Sequence, residues 1–219
     1  MNQIRVGIFG GSFNPPHIGH LAIADWVLHE LGLSKVYFVP AGHSPHKPPF
    51  EDSSPGDRRK MTSLAIDNNH LFSLIDWELD HDGPSYAVTT VERLMREEHF
   101  GPQEIGVIIG EDLLGRLDEW HRFEELCTLV TWIIVRRSSG AREKGRESLF
   151  PGVDFRYLSV DNIFLPVSSS QVRELVKSRK SFRYLVPQKV YAYIQQNSLY
   201  VAKAYSNKTE TLREKSTKS

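Results

Sequence analysis

The run Gly10-Gly11-Ser12-Phe13-Asn14-Pro15-Pro16-His17-Ile18-Gly19-His20 carries the densest chemistry in the sequence. A glycine pair after a strand lets backbone N–H groups come close to a ligand. The residues that follow open a helix, whose first N–H groups and positive dipole end favour a phosphate. His17 and His20 are three apart and share one face of the first turn. Gly19 between them leaves no side chain to block a ligand. Two imidazoles among N–H donors suit the stabilisation of anionic charge. The run is neither a dinucleotide G-x-G-x-x-G nor a Walker loop, which needs Gly-Lys-Ser/Thr. Taken alone, H-x-x-H also fits a capped helix start with two solvent-facing histidines. A zinc site would need H-E-x-x-H spacing and a third ligand, and neither is present. The strand and double glycine directly before the pair favour the anion site.

A second cluster is Val167-Ser168-Ser169-Ser170-Gln171-Val172-Arg173. Serines before an amphipathic run are N-cap candidates. Hydroxyls, N–H groups and a guanidinium one turn later form a second anion site, or else an ordinary capped surface helix. Asp112, after Ile109-Gly110-Glu111, reads equally as a helix N-cap or a ligand.

These clusters need elements to position them. Residues 4–9 form an apolar run that reads as a buried strand. A helix follows at 18–31, with Leu21, Ala24, Leu28 and Leu31 at three- and four-residue steps and Gly32 as its stop. Strands are expected at 36–39, 72–75, 105–109, 131–135 and 155–160. Helices are expected at 57–67, 88–98, 169–178 and 187–197, the last with a proline at its start. Residues 41–55 and 138–148 read as long polar loops. Alternation of strand and helix implies an α/β fold: a Rossmann-like, doubly wound, mostly parallel sheet, with a small C-terminal helical part. In such sheets ligands bind beyond the carboxyl ends of the strands, where Gly10-Gly11, residues 41–47 and residues 110–112 all fall. One nucleotide-handling domain is expected at 1–201. A polar, disordered tail is expected at 202–219, too poor in apolar groups to offset the entropy of ordering.

Composition restricts the classes. Of 219 residues, 27 are Lys or Arg and 27 are Asp or Glu, so no net field draws the whole molecule to nucleic acid or anionic membrane. Cys127 is the only cysteine, which excludes an internal disulfide and a Cys-rich zinc site, and its apolar surroundings suggest a core residue. No apolar run approaches the ~20 residues of a membrane span. The first residues lead into a strand and do not read as a signal peptide. A cytoplasmic protein is expected.

His17-Ile18-Gly19-His20 resembles the (H/T)-x-G-H motif of the nucleotidyltransferase superfamily, which includes the class I aminoacyl-tRNA synthetases. Val167-Ser168-Ser169-Ser170-Gln171-Val172-Arg173 resembles the I-S-S-T-x-I-R motif of bacterial nicotinate mononucleotide adenylyltransferases, with like replacing like at three positions. Further ordered matches to that family are Phe38-Val39-Pro40-Ala41-Gly42, Pro45-His46-Lys47 and Arg58-Arg59-Lys60-Met61. Others are Ser85-Tyr86-Ala87, with Ala87 in place of the usual Thr, Ile109-Gly110-Glu111-Asp112, Trp120-His121 and Ile134-Val135-Arg136-Arg137. The resemblance spans about residues 4–200.

The resemblance implies transfer of AMP from ATP to nicotinate mononucleotide, giving nicotinate adenine dinucleotide and pyrophosphate, a step of NAD biosynthesis. It implies catalytic roles for His17 and His20, and ATP binding by Gly10, Gly11, Ser12, Phe13, Gly19, Ser169, Ser170 and Arg173. It implies mononucleotide binding by His46, Lys47, Ser85, Tyr86, Asp112, Trp120, His121 and Arg136. Mg2+ would arrive with ATP. Three other readings have weaker support. The first is a related transferase with another acceptor: a phosphopantetheine enzyme would be shorter and lack the Ser85-Tyr86 and Trp120 segments, whereas a nicotinamide mononucleotide acceptor differs by one charged group. A synthetase fragment would need a K-M-S-K-S-like loop, and a non-catalytic nucleotide-binding regulator would be expected to lose the histidine pair.

Overall fold

A computed structural model describes residues 3–42, 52–80, 83–136, 150–159 and 166–201. The elements, in chain order, are β1 (Val6–Gly11), α1 (Ile18–Glu30), β2 (Lys35–Pro40), α2 (Pro55–Ile66), β3 (Phe72–Leu74) and α3 (Ala87–Glu98). Then come β4 (Ile105–Gly110), α4 (Phe123–Leu129), β5 (Val130–Arg136), β6 (Phe155–Ser159), α5 (Ser169–Lys177) and α6 (Gln188–Gln196). The six strands form one parallel sheet in the order β3-β2-β1-β4-β5-β6. The expected Rossmann-like α/β fold is present. The chain builds outward from β1 in one direction, returns, and builds outward from β4 in the other. The order therefore reverses between β1 and β4, the crevice where doubly wound sheets take ligands.

The strands read as continuous apolar runs because both faces of the sheet are covered. Phe9, Val36, Phe38, Ile108, Ile133 and Val135 point to one layer, with α1, α2, α5 and α6. Val6, Ile8, Tyr37, Val39, Ile105, Val107, Ile109, Trp132 and Ile134 point to the other, with α3 and α4. Neighbouring residues alternate between the layers, as the two-residue strand period requires.

Helix boundaries follow capping chemistry. In α2, Ser54 Oγ accepts the Asp57 N–H at 3.0 Å and Asp57 Oδ2 accepts the Ser54 N–H at 2.9 Å, a reciprocal box that starts the helix two residues before the expected Asp57. At the end of α1, Gly32 has φ +62°, which its missing Cβ permits. Its N–H reaches His29 O at 3.3 Å, and the Leu33 N–H reaches Leu28 O at 2.8 Å, so Gly32 closes the helix as expected. Ala24 and Leu28 of α1 are buried, while Leu21 and Leu31 are half-buried against the same layer. Cys127 is half-buried against the other layer.

Sequence periodicity misses α4 and two 3-10 segments, Trp77–Asp80 and Glu111–Glu119. Each is too short for a helical period to repeat convincingly. The C-terminal helical part is integral to the fold. Val172, Val176, Phe182, Val186, Val190, Ile194 and Tyr200 complete the α1/α2 layer, and Tyr193 OH donates to Asp57 Oδ1 of α2 at 2.9 Å. Residues 137–149, which include the whole of the second expected loop, and 202–219, the expected tail, lie outside the described residues.

Candidate active site

β1 delivers the glycine pair to the switch point. A Cβ on Gly10 would meet no atom within 4 Å, so this glycine faces open space. A Cβ on Gly11 would lie 3.1 Å from the Phe13 ring. Phe13, at φ +44° and 1% exposed, turns back into the core, where it packs with Phe9, Phe38 and His20. Only the backbone of Phe13 is left to meet a ligand. At Gly19 a Cβ would press on Val167 Cγ1 at 3.0 Å and on the His17 ring at 3.1 Å. Tight packing of α1 against the strand of residues before α5 accounts for this glycine, where spacing alone had suggested room for a ligand.

The two histidines form a stacked pair with ring centroids 3.6 Å apart and planes 26° apart. His20 Nδ1 accepts the His17 backbone N–H at 3.1 Å. A neutral imidazole that accepts at Nδ1 carries its hydrogen on Nε2, so His20 presents Nε2–H as a donor. Burial, and then the charge of His17, hold the His20 pKa well below the ordinary histidine value.

The start of α1 is less open than expected from sequence. The Ile18 N–H donates to Leu185 O at 3.0 Å, the His17 N–H is taken by His20, and the His20 N–H returns to His17 O at 3.0 Å. The helix end is therefore no broad nest of free donors.

The second motif packs directly on this loop. Ser168 Oγ caps α5 by accepting the Gln171 N–H at 3.1 Å. Ser169 Oγ donates to Pro15 O at 2.8 Å, and Arg173 Nη1 donates to Asn14 O at 2.7 Å. Arg173 Nη2 also donates to Ser170 Oγ at 3.1 Å. Two motifs more than 150 residues apart in sequence thus share one wall of the crevice.

Across the crevice, α3 starts differently from α2 and α5. Its N-cap is Tyr86, and no side chain caps it. The ring of Tyr86 stacks on His121 at 4.1 Å. Trp120 is half-buried, edge-on to Trp132 at 5.5 Å. Ser85 Oγ accepts the Gly42 N–H at 2.9 Å and joins Thr90 in hydrogen bonding to the half-buried Glu78. Ser85 therefore holds the loop after β2, a use its motif did not announce. Burial pushes the Glu78 pKa up against the opposing hydrogen bonds of Thr90, Ser85 and the Gly42 backbone and the charge of Arg58. Arg58, 2% exposed, donates to Ser12 O at 3.2 Å, to Ala41 O, and to Gly42 O at 3.3 Å. It ties the end of β1 to the end of β2. The role of Arg58 was legible only as a family-like position, and that of Glu78 was not legible in the sequence.

Gly110, and not Asp112, occupies the N-cap position of the Glu111–Glu119 segment. Asp112 is exposed, and its Oδ1 would lie 2.3 Å from a Cβ on Gly110. Arg136 pairs with Glu111 at 3.1 Å and lies over the Tyr157 ring at 4.0 Å. These residues line the carboxyl ends of β4 and β5. His46 and Lys47 lie outside the described residues. Among the described residues, no helix is long and apolar enough to cross a membrane.

This chain belongs to the cytidylyltransferase-like family, whose model matches residues 8–175. Within it, the chain is 38% identical over 200 residues to a probable nicotinate-nucleotide adenylyltransferase of Synechococcus sp. (strain JA-3-3Ab), covering 91% of this chain and 96% of that one. It is 36% identical over 197 residues to the nicotinate-nucleotide adenylyltransferase of Bacillus subtilis (strain 168), covering 90% and 98%. Its fold matches the solved Plasmodium falciparum nicotinic acid mononucleotide adenylyltransferase complexed with NaAD, with a TM-score of 0.73 at 18% identity, covering 90% of this chain and 97% of that one.

Proposed function

We infer that this chain is a nicotinate-nucleotide adenylyltransferase, joining nicotinate mononucleotide to the AMP part of ATP with release of pyrophosphate. The observation that carries the reading is the docking of Ser169 and Arg173 onto the Asn14–Pro15 carbonyls, beside the His17–His20 pair. A phosphate oxygen of the mononucleotide attacks the α-phosphorus of ATP. The new P–O bond forms as the bond to the β-phosphate breaks, and pyrophosphate leaves with the electron pair. The phosphate monoester is already largely ionised at neutral pH, its second pKa being about 6, so no general base is required. Catalysis then consists of positioning and of charge stabilisation.

His17 and His20 act on the ATP phosphates and the transition-state charge, with Nε2–H of the neutral His20 as donor. The backbone of Gly10, Gly11, Ser12, Phe13 and Gly19 faces ATP. Ser169, Ser170 and Arg173 hold the β- and γ-phosphates. His46 and Lys47 take the mononucleotide phosphate, Trp120 stacks on the pyridine ring, and Asp112 and Arg136 flank the mononucleotide. N–H groups near Tyr86 and His121 receive the nicotinate carboxylate. The uncapped start of α3 supports that last role, since its first N–H groups have no side-chain acceptor.

No three His, Cys, Asp or Glu side chains converge to hold a metal among the described residues. Mg2+ would arrive with ATP, held mainly by phosphate oxygens and water, and would neutralise phosphate charge there. Substrates and products are water-soluble, which fits a cytoplasmic enzyme with no nucleic-acid or membrane partner.

Turnover of ATP with nicotinate mononucleotide, against nicotinamide mononucleotide as control, tests the reading. The nicotinate form is expected to win by at least ~10-fold in kcat/KM, or ~1.4 kcal/mol. A carboxylate gains charge-assisted bonds from N–H donors, whereas an amide turns its own donor toward them. Equal kcat/KM values would overturn the nicotinate assignment.

A further inference from the structure

The last described turn of the chain ends against the active-site loop. Tyr200, 3% exposed, donates its hydroxyl to Asn14 Oδ1 at 2.6 Å, across 186 residues of sequence, and the Tyr200 hydroxyl oxygen lies 3.8 Å from Met61 Sδ. Ser53 Oγ donates to the same Asn14 Oδ1 at 2.8 Å. Asn14 is itself 1% exposed, and its backbone carbonyl accepts Arg173. The next carbonyl, of Pro15, accepts Ser169. Three separate stretches of chain, the loop before α2, the start of α5 and the residues after α6, therefore converge on one asparagine just ahead of His17. Burial raises the Tyr200 pKa above its ordinary value, so the phenol stays a neutral donor throughout the working pH range.

We propose that Tyr200 is a positioning residue for adenylyl transfer: with Ser53 it fixes the Asn14 side chain, so that the Asn14 and Pro15 carbonyls hold Arg173 and Ser169 in register with the histidine pair. The inference rests on the function proposed above. The ring and the hydroxyl of Tyr200 do separable jobs. The ring fills the α1/α2 layer, beside Val190 and Ile194. The hydroxyl alone reaches the loop. A small misplacement of a phosphate-binding group costs rate even when the fold is intact.

Tyr200→Phe removes the hydroxyl and keeps the ring. It is expected to lower kcat/KM for ATP by about 5- to 10-fold, through both a lower kcat and a higher KM, the scale of one lost neutral hydrogen bond. The KM for nicotinate mononucleotide should stay within about twofold, because the loop faces the ATP side. Ser53→Ala should shift the same constants in the same direction, and the double variant should fall short of the product of the two, since both donors share one acceptor. Tyr193→Phe is the control. It deletes the bond to Asp57 that docks α6 on α2 without reaching Asn14, and should leave kcat unchanged.

Wild-type kcat and ATP KM in Tyr200→Phe would overturn the proposal. So would an equal loss of kcat in Tyr193→Phe, which would assign the effect to helix docking. Should Tyr200→Phe not fold, Ser53→Ala carries the same expectation and the same risk. Absence of turnover in the wild-type enzyme would instead bring down the functional reading itself.

Discussion

The two walls of the crevice are built on different plans. On the wall proposed for ATP, protein donors and acceptors satisfy one another across long sequence distances: Arg173 on Asn14, Ser169 on Pro15, Leu185 on Ile18, and Tyr200 and Ser53 on the Asn14 side chain. On the wall proposed for the mononucleotide the polar network lies behind the surface, in Arg58, Glu78, Ser85 and Gly42, while the front offers the uncapped start of α3 and the stacked rings of Tyr86 and His121. The difference matches the ligands proposed for each. A triphosphate is recognised by a few fixed donors whose spacing must not drift. A pyridine ring with one carboxylate needs a flat aromatic surface and free N–H groups.

The strongest test of this contrast is His20→Ala. It should lower kcat by roughly 10²–10³ with the fold retained, as expected for losing one charge-stabilising donor. A folded variant with near-normal turnover would remove His20 from the chemistry.

Arg173→Ala should act next. It removes a charged donor and the tether to Asn14, and should weaken ATP and pyrophosphate binding by about 10- to 100-fold, the range for a hydrogen bond to a charged group. ATP KM and pyrophosphate product inhibition measure it. If only the affinity for the mononucleotide changed, the assignment of the two walls would be reversed.

A smaller effect follows from the neutral state of His20. Its folded pKa lies below the ordinary value near 6.5, so an unfolded chain binds the proton more readily than the folded one. The stability contributed by neutral His20 is therefore complete above about pH 6.5 and is lost as pH falls toward the depressed folded pKa. The melting temperature should decline over that window in the wild type and decline less in His20→Gln. Parallel curves would mean that His20 is not held neutral.

The smallest effect is expected from deleting residues 203–219. Melting temperature and kcat should not change, because Tyr205 and Leu212 are the segment's only large apolar groups, set against ~1–2 kcal/mol per residue of backbone ordering. A deletion that also removes Tyr200 should lower both. A clear loss with the shorter deletion would show that the tail docks.

Much of the architecture was legible because local signals agreed. The strands at 4–9, 36–39, 105–109 and 131–135 were found within two residues, since a doubly covered parallel sheet demands uninterrupted apolar runs. Gly32 and Ser168 were read correctly because helix termini use a short list of residues for stereochemical reasons. Asp112 was misplaced as a cap candidate because Gly110, which has no capping side chain, holds that position. Helix α4 was missed because its seven residues are too few for a period to show.

The sequence by itself determined the order of the strands and of the longer helices, the glycine–histidine and serine–arginine motifs and the family to which they belong. All of these reside in residue type and short spacing. Only the tertiary structure decided that Leu185 would close on the α1 start, that Ser85 would be committed to Gly42, and that Asn14 would gather Arg173, Ser53 and Tyr200. Each of those outcomes depends on which donor meets which acceptor after residues tens to nearly two hundred positions apart are packed together. A buried polar group must find a partner, but its own neighbourhood in sequence does not say which one.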